Sequence, residues 1–325
     1  MKSELLTAMR EAGGYVSGGE LSKKLGVSRT AVWKGMQKLK EEGYRIAAVP
    51  NKGYFLTESP DILNADELAS LRKTAWAGKE IIYFEVTDST NIQAKRLAEE
   101  GAPHGTLIVA GRQESGRGRR GRFWESPEGS GIFMTIVLRP DFYPGQASML
   151  TIVAAMAVAK AIRTSLSLPA QIKWPNDIIL NGKKICGILT EMNTDIDTIH
   201  YVVIGIGINV SNESFEGEAA AIATSLFRES GAEVSRSALI EAVWEQFESY
   251  YESFCGAGDL SEIQEEYNDY LVNKDRQVRI LDPKEPFCGT AKGIAENGEL
   301  IVETEHGVRR VSSGEVSVRG IYGYV

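Results

Sequence analysis

Apolar and polar residues follow three rhythms along this chain, and each predicts a different kind of element. In the first sixty residues the spacing is helical. Leu5, Leu6 and Met9 open a first helix, residues 20–25 form a second stopped by Gly26, and Ser28 caps a third over residues 29–42. In that third helix Val32, Met36 and Leu39 fall on one face at spacings of four and three. Two short strands, 45–49 and 54–57, bracket the turn 50–53. Three helices and a hairpin in this order predict a winged helix-turn-helix, with Ser22 small where helices approach, Gly26 permitting the turn and Val32 packing the third helix on the first pair. Ser59-Pro60-Asp61 ends the segment. Asn64 with Glu67 then reads as a capping box opening a short helix over residues 65–73.

From residue 81 the rhythm changes to short apolar runs separated by helical stretches. Strands are predicted at 81–86, 106–110, 131–138, 183–189 and 203–210, with helices at 90–99 and 149–165. That alternation predicts an α/β (α+β) chain whose central sheet is mixed or antiparallel. Beyond residue 277 short strands alternate with turn signals at Asp282-Pro283, Asn297-Gly298, His306-Gly307 and Ser313-Gly314, a pattern for a small β domain. The expected domains are residues 1–60, 65–272 and 273–325.

Charge sharpens this division. Residues 1–60 carry ten Lys/Arg against six Asp/Glu, whereas the remainder carries 26 against 38. A small basic module on an acidic body suits a nucleic-acid reader joined to an enzyme. The exposed side of the third helix fits that role: Arg29, Thr30, Trp33, Lys34, Gln37 and Lys38, with Ser28 at its start and Lys52 at the hairpin tip, mix phosphate-binding cations with groups that reach base edges. A helical protein-interaction module with a solvated face is the alternative, and Trp33 is either a contact or a half-buried prop. The N-terminus lacks a signal-peptide run, and the apolar stretch 149–162 is too short for a membrane and carries Lys160. These features lead us to expect a cytoplasmic protein with no membrane partner. Three scattered cysteines argue against a disulfide framework, and His104, His200 and His306 form no zinc spacing.

The chemistry-bearing segments come next. Residues 116–121 read Gly-Arg-Gly-Arg-Arg-Gly, too glycine-rich to propagate a helix or strand, and rich in planar donors for phosphate or carboxylate. Alone, this run is equally a nucleic-acid patch or a solvated loop. Its neighbours are Lys173-Trp174-Pro175-Asn176-Asp177, the strand bearing Lys183 and Lys184, and Gly205-Ile206-Gly207-Ile208-Asn209. No P-loop motif occurs. Gly205 and Gly207 lack the third small residue and following helix of a dinucleotide fingerprint, so they are expected to let a ligand approach a strand closely.

In this order the four segments resemble the signatures of the biotin-protein ligases, and the basic N-terminal module resembles that of their bifunctional members, which also repress the biotin operon. The resemblance runs from about residue 80 to the C-terminus. It implies a winged helix-turn-helix, a biotin/lipoate ligase-like catalytic domain and a C-terminal SH3-like barrel. It further implies an ATP-dependent ligase that forms biotinyl-5'-AMP and passes biotin to a lysine of biotin carboxyl-carrier proteins. The adenylate would promote a homodimer that binds operator DNA. Ser89, Thr90, Gln113, Arg117, Gly118, Arg119 and Lys184 match the biotin-site positions, with Lys184 and Arg119 acting on the reacting anions. Trp124, Asn176, Asn209 and Arg319 match nucleotide contacts, the last in the run that begins Gly314-Glu315-Val316. Ser89 and Thr90 also suit helix capping, Trp124 also suits a core, and Arg319 also suits the surface. Asp177 either helps hold Mg2+ or orients Asn176. Lys183 is expected to face solvent, because strand alternation opposes it to Lys184. A repressor without catalysis and a lipoate-protein ligase are the rival readings.

Overall fold

The helical spacing at the start of the chain builds α1 (Lys2–Ala12), α2 (Gly18–Leu25) and α3 (Arg29–Glu41), followed by the antiparallel pair β1 (Arg45–Val49) and β2 (Gly53–Glu58) and by α4 (Ala65–Leu71). The computed structural model describes residues 1–217, 219–282, 285–313, 317–320 and 324–325. Leu5, Leu6, Met9, Leu21, Val32, Met36 and Leu39 are fully or almost fully buried and form one core. At Gly35 a Cβ would come 2.5 Å from Leu5 Cδ1, so α1 and α3 meet where α3 has no side chain. Ser17 and Glu20 form a reciprocal capping box that starts α2 two residues before the expected helix. Gly26 takes the left-handed conformation, φ 66°, that closes it.

Helix α4 packs with the N-terminal elements. Asn64 Oδ1 accepts the Glu67 N–H at 2.8 Å, but Glu67 does not return the bond. Its carboxylate is buried, paired with Arg10 Nη2 at 2.7 Å, and accepts the Tyr44 hydroxyl at 2.8 Å. A buried carboxylate needs such partners, and they lie on the helix-turn-helix segment. The first compact unit is accordingly Met1–Lys73 with Ser235–Glu241, and the second is Thr74–Val234 with Ala242–Val325.

The second unit is built on a seven-stranded sheet. Its strands are β3 (Ile81–Thr87), β4 (Leu107–Gln113), β5 (Gly131–Leu138), β6 (Gln171–Lys173), β7 (Asp177–Leu180), β8 (Lys183–Thr194) and β9 (Ile199–Asn209), ordered β3-β4-β5-β9-β8-β7-β6. Only β3 and β4 run parallel, joined by α5 (Thr90–Glu99), so the sheet is mixed as expected. Helix α6 (Met149–Leu166) supplies a wholly apolar core face. With the turn before it, Pro144–Leu166 is long and apolar enough to cross a membrane by length and composition, contrary to the sequence reading, yet 67% of its apolar 18-residue window is buried inside the protein. Helices α7 (Ala219–Ile222) and α8 (Leu226–Ser230) are short. The 22-residue α9 (Arg236–Ala257) was not anticipated, although Val243, Trp244, Phe247, Tyr251 and Phe254 repeat at helical spacing.

After α10 (Gln264–Tyr270) comes an antiparallel five-stranded sheet ordered β13-β12-β11-β10-β14. Its strands are β10 (Gln277–Leu281), β11 (Phe287–Ile294), β12 (Leu300–Thr304), β13 (Gly307–Val311) and β14 (Ser317–Gly320). This β domain falls within the second compact unit. One link is Trp174, fully buried, whose indole N–H donates to the Gly298 carbonyl at 3.0 Å. Pro283, Gly314, Glu315 and Val316, named in the sequence reading, lie outside the described residues.

Candidate functional site

Strand register assembles the site. Gly207 of β9 pairs with Gly187 of β8, Gly187 with Asp177 of β7, and Asp177 with Lys173 of β6. Paired residues on neighbouring strands point to one face, so two glycines, a carboxylate and an ammonium form one row across the sheet. Lys184 joins that face through a register shift between Ile178 and Ile179, which leaves Ile185 as an extra residue. Without the bulge, alternation would oppose Lys184 to Gly187. Lys183 is exposed, as expected.

The glycine end is a narrow slot of about 50 Å³, well below the ~300 Å³ at which ligand pockets begin. The indole of Trp124 lies on its floor. A Cβ at Gly207 would stand 2.5 Å from Trp124 Nε1, and one at Gly187 would stand 2.9 Å from Cζ3. At Gly205 a Cβ would collide with Asn91 Oδ1. The close approach expected of a ligand is thus made by the protein's own side chains. The indole N–H is buried without a hydrogen-bond partner among the described residues.

The slot's polar wall is internally bonded. The Thr90 N–H and hydroxyl donate to Gln113 Oε1 at 2.8 and 3.2 Å, and Gln113 Nε2 donates to Ser126 Oγ at 2.8 Å. The Thr135 hydroxyl lies 2.8 Å from both Thr90 Oγ1 and Asn91 Oδ1. Ser89 is buried and makes no side-chain cap on α5. The first helical N–H, that of Thr90, goes to Gln113 Oε1, and Asp88 accepts the Ser89 N–H at 2.7 Å and Gln93 Nε2 at 2.9 Å. Burial pushes the Asp88 carboxyl up, but these bonds and Thr87 outweigh it and hold it below the usual range. Capping therefore leaves Ser89 on the slot wall. Asn91, also on the wall, went unnoticed in the sequence, where only its place after Asp88-Ser89-Thr90 marked it.

The Gly/Arg run is folded into a small hairpin by the Gly118 N–H to Arg122 carbonyl bond, 2.8 Å, and the Trp124 N–H to Gly116 carbonyl bond, 2.9 Å. Arg117 and Gly118 border the slot. Arg119 reaches back to donate to Asn176 Oδ1 at 2.9 Å and to the Ser313 carbonyl at 2.5 Å. Burial lowers the Arg119 pKa against the opposing pull of Asp177.

Beyond Lys184 the slot opens into a cavity of about 550 Å³ bordered by Arg119, Trp124, Asn176, Lys184, Asn209 and Arg319, among others. This groups the expected nucleotide contacts. Lys184 Nζ sits 2.6 Å from Asp177 Oδ1 and 5.4 Å from the Trp124 ring centroid. The Tyr324 hydroxyl donates to Asp177 Oδ2. Burial would raise the Asp177 pKa, but Lys184 and Lys173 hold it low. Asn176 is oriented by Arg119 and by its own bond to the Ile188 carbonyl, 3.1 Å, while Asn209 Nδ2 donates to the Thr224 carbonyl at 3.1 Å. Asp177 thus positions Lys184, a role neither sequence reading held. A nucleotide-borne Mg2+ takes one or two carboxylates beside the phosphates, and Asp177, whose Oδ1 pairs with Lys184 and whose Oδ2 accepts from Tyr324, is a carboxylate bordering this cavity.

In the first unit, Ser28 Oγ caps α3 by accepting the Ala31 N–H at 3.2 Å. Arg29, Thr30, Lys34 and Lys38 are exposed, Gln37 is half-buried, and Trp33 is 53% exposed, which leaves about half of its surface open to a contact. Lys52 is exposed at the hairpin turn, 5.8 Å from the Tyr15 ring centroid.

Residues 83–209 match the biotin/lipoate A/B protein ligase family, residues 2–55 match an HTH domain, and residues 275–319 match the biotin protein ligase C-terminal domain. The chain is 39% identical to a bifunctional ligase/repressor BirA of Bacillus spizizenii over 98% of each protein. It is 30% identical to the bifunctional ligase/repressor BirA of Escherichia coli, covering 97% of this chain and 96% of that one. The biotin protein ligase of Aquifex aeolicus in complex with biotin and ATP superimposes with a TM-score of 0.67 at 30% identity, covering 74% of this chain and 99% of that structure. Full-length identity, matching domain order and a glycine-floored slot opening on paired cations agree, and the chain belongs to the biotin protein ligase family, in its bifunctional ligase/repressor branch with an N-terminal helix-turn-helix.

Proposed function

We propose that this chain is an ATP-dependent biotin-protein ligase that forms biotinyl-5'-AMP, transfers biotin to a lysine of a biotin carboxyl-carrier protein, and represses biotin genes with the adenylate as corepressor. The observation that carries this reading is the single row from Gly207 through Gly187 to Asp177, with Lys184 turned onto the same face. The glycine floor, which carries no side chains of its own and is covered by the Trp124 ring, suits a flat uncharged bicycle in place of that ring. The Thr90–Gln113–Ser126 chain suits its ureido edge, and Lys184 suits its carboxylate.

In the first half-reaction a biotin carboxylate oxygen attacks the α-phosphorus of ATP, the bond to the β-phosphate oxygen breaks, and pyrophosphate leaves with the electron pair. Two anions must meet, so the dominant demand is charge. Lys184, aimed by Asp177, and Arg119, aimed through Asn176, meet it. No residue is required as a base, because the carboxylate is already ionised. Magnesium would enter with the triphosphate and offset part of its charge. In the second half-reaction the acceptor amine attacks the acyl carbon, loses a proton, and AMP departs. The hairpin 116–122 covers the labile adenylate from water.

The exposed cationic face of α3 and Lys52 support operator binding, and a homodimer promoted by the adenylate would supply two half-sites. We place the protein in the cytoplasm. Retention of Lys184, Asn176 and the whole Gly/Arg hairpin disfavours a repressor without catalysis. Incubation with ATP and either biotin or lipoate tests the reading. Pyrophosphate release and biotinyl-5'-AMP with biotin are expected, and release with lipoate alone would replace biotin as substrate.

A further inference from the structure

The hydrogen-bonded wall of the slot continues into the protein behind it. Asn91 and Lys95 stand one turn apart on α5, so their side chains share one side of that helix, and on β8 Gly187, Leu189 and Glu191 alternate onto one face. Both α5 side chains meet the Glu191 carboxylate. Asn91 Nδ2 donates to Oε2 at 2.9 Å, and Lys95 Nζ lies 2.5 Å from Oε1. Asn91 is 4% exposed and borders the slot, while Glu191, half-buried, stands behind it. Only the missing side chain at Gly205 admits the Asn91 amide to this position.

An amide has a donor end and an acceptor end, and exchanging them leaves its shape unchanged. The partners of Asn91 settle which is which. A carboxylate paired with a lysine only accepts, and so does the Leu189 carbonyl, 3.3 Å from Nδ2. The oxygen end is therefore left for Thr135, whose hydroxyl has a single hydrogen and donates it to Asn91 Oδ1 at 2.8 Å. Toward Thr90, also at 2.8 Å, Thr135 then offers only lone pairs. The Thr90 hydroxyl hydrogen is drawn into the wall, to Thr135 or to Gln113 Oε1, and its oxygen is left to accept from a ligand in the slot. We propose that Glu191 is a positioning residue for the substrate ring: by fixing the Asn91 amide it sets the direction of the wall's hydrogen bonds, so that the slot selects a ring N–H donor such as that of a ureido group. This rests on the ligase reading and deepens it at the recognition step.

Glu191→Gln keeps the shape of the side chain and tests the direction alone. The new amide must turn a donor either to the Lys95 ammonium or to the Asn91 amino group, which breaks or reverses the chain. In calorimetric titration of the full-length protein, biotin affinity should fall about 10- to 100-fold, the scale for leaving one buried polar group unpaired. In steady-state ligation the KM for biotin should rise accordingly, while kcat and the KM for ATP hold within about twofold. Adding Lys95→Met lets the new amide turn its oxygen to Asn91, so the double variant should recover most of the lost affinity, a rescue that damaged packing would not show. Wild-type biotin affinity in Glu191→Gln, a matching loss in kcat or in the KM for ATP, or a double variant that binds no tighter than the single one overturns the assignment. Wild-type protein that takes up no biotin overturns the ligase reading itself, and with it this one.

Discussion

The two ends of the ligand cavity treat polar groups in opposite ways. At the glycine end Thr90, Gln113, Ser126, Thr135 and Asn91 bond one another, and Trp124 fills the floor. At the other end Lys173, Lys184, Arg119 and Arg319 border a cavity in which Asp177 pairs with Lys184, with Glu125 and Glu216 also on its lining. Ligand binding at the first end is therefore an exchange, in which internal bonds and an indole contact give way to equivalent ones. At the second it removes repulsion. On the proposed function, specificity would be built at the first end and rate at the second.

The largest expected effect tests the phosphate end. Lys184→Ala removes the cation nearest both reacting anions and should cost about 3 to 4 kcal/mol in adenylation, read as single-turnover formation of biotinyl-5'-AMP. Biotin binding alone should weaken far less, and a near-normal adenylation rate would dissolve the contrast between the ends.

A substitution on the glycine floor should have the reverse signature. Gly207→Ala places a methyl 2.5 Å from the indole, an overpacking worth about 1 to 3 kcal/mol. Separate titrations should show biotin affinity falling while ATP affinity holds. A parallel loss of both would mean that the floor serves packing rather than the ligand.

Filling both ends at once tests the regulatory reading. The adenylate should tighten self-association and operator binding, with a coupling of about 1 to 3 kcal/mol. Sedimentation equilibrium and DNA titration on apo and adenylate-bound protein, at one salt concentration, measure it. Equal values in the two states would remove the corepressor role and leave the ligase intact.

The smallest effect concerns Trp124. If the slot is free of the indole in about a tenth of molecules, Trp124→Ala should tighten biotin binding about tenfold in the absence of ATP, because the closed state no longer competes. The same change should weaken ATP binding, for which the ring offers a stacking face. Calorimetry with each ligand separates the two, and weaker binding of biotin by Trp124→Ala would mean that the indole supports the ligand instead of excluding it.

Periodicity carried the sequence reading a long way. The buried and exposed faces of α3, the strands flanking the Gly/Arg run and the mixed character of the sheet all follow from spacings within a single element, where geometry repeats every 3.6 or 2 residues. Even α9 was readable by that rule, from the aromatic stripe it carries. The failures share another character. Glu67 looked like a capping residue because its local spacing was right, but burial beside Arg10 and Tyr44 offered its carboxylate more. Asp177, read as a metal ligand or a brace for Asn176, is also the counter-ion of Lys184, a pairing that no local spacing announced.

The residue types were all written in the chain: a cationic helix face, a glycine-rich arginine run, paired lysines and spaced glycines. Their alignment was not. Whether Gly207, Gly187, Asp177 and Lys173 stand in one row depends on the register of four strands drawn from 35 residues of sequence, and a one-residue slip would send any of them to the other face. Lys184 reaches the row only because β8 holds one residue more than its partner between two pairings. Spacing along one element is a local property of the backbone. Register, bulges and the partner of a buried charge are settled by hydrogen bonds and desolvation between segments distant in sequence, and they exist only once the sheet has closed around its core.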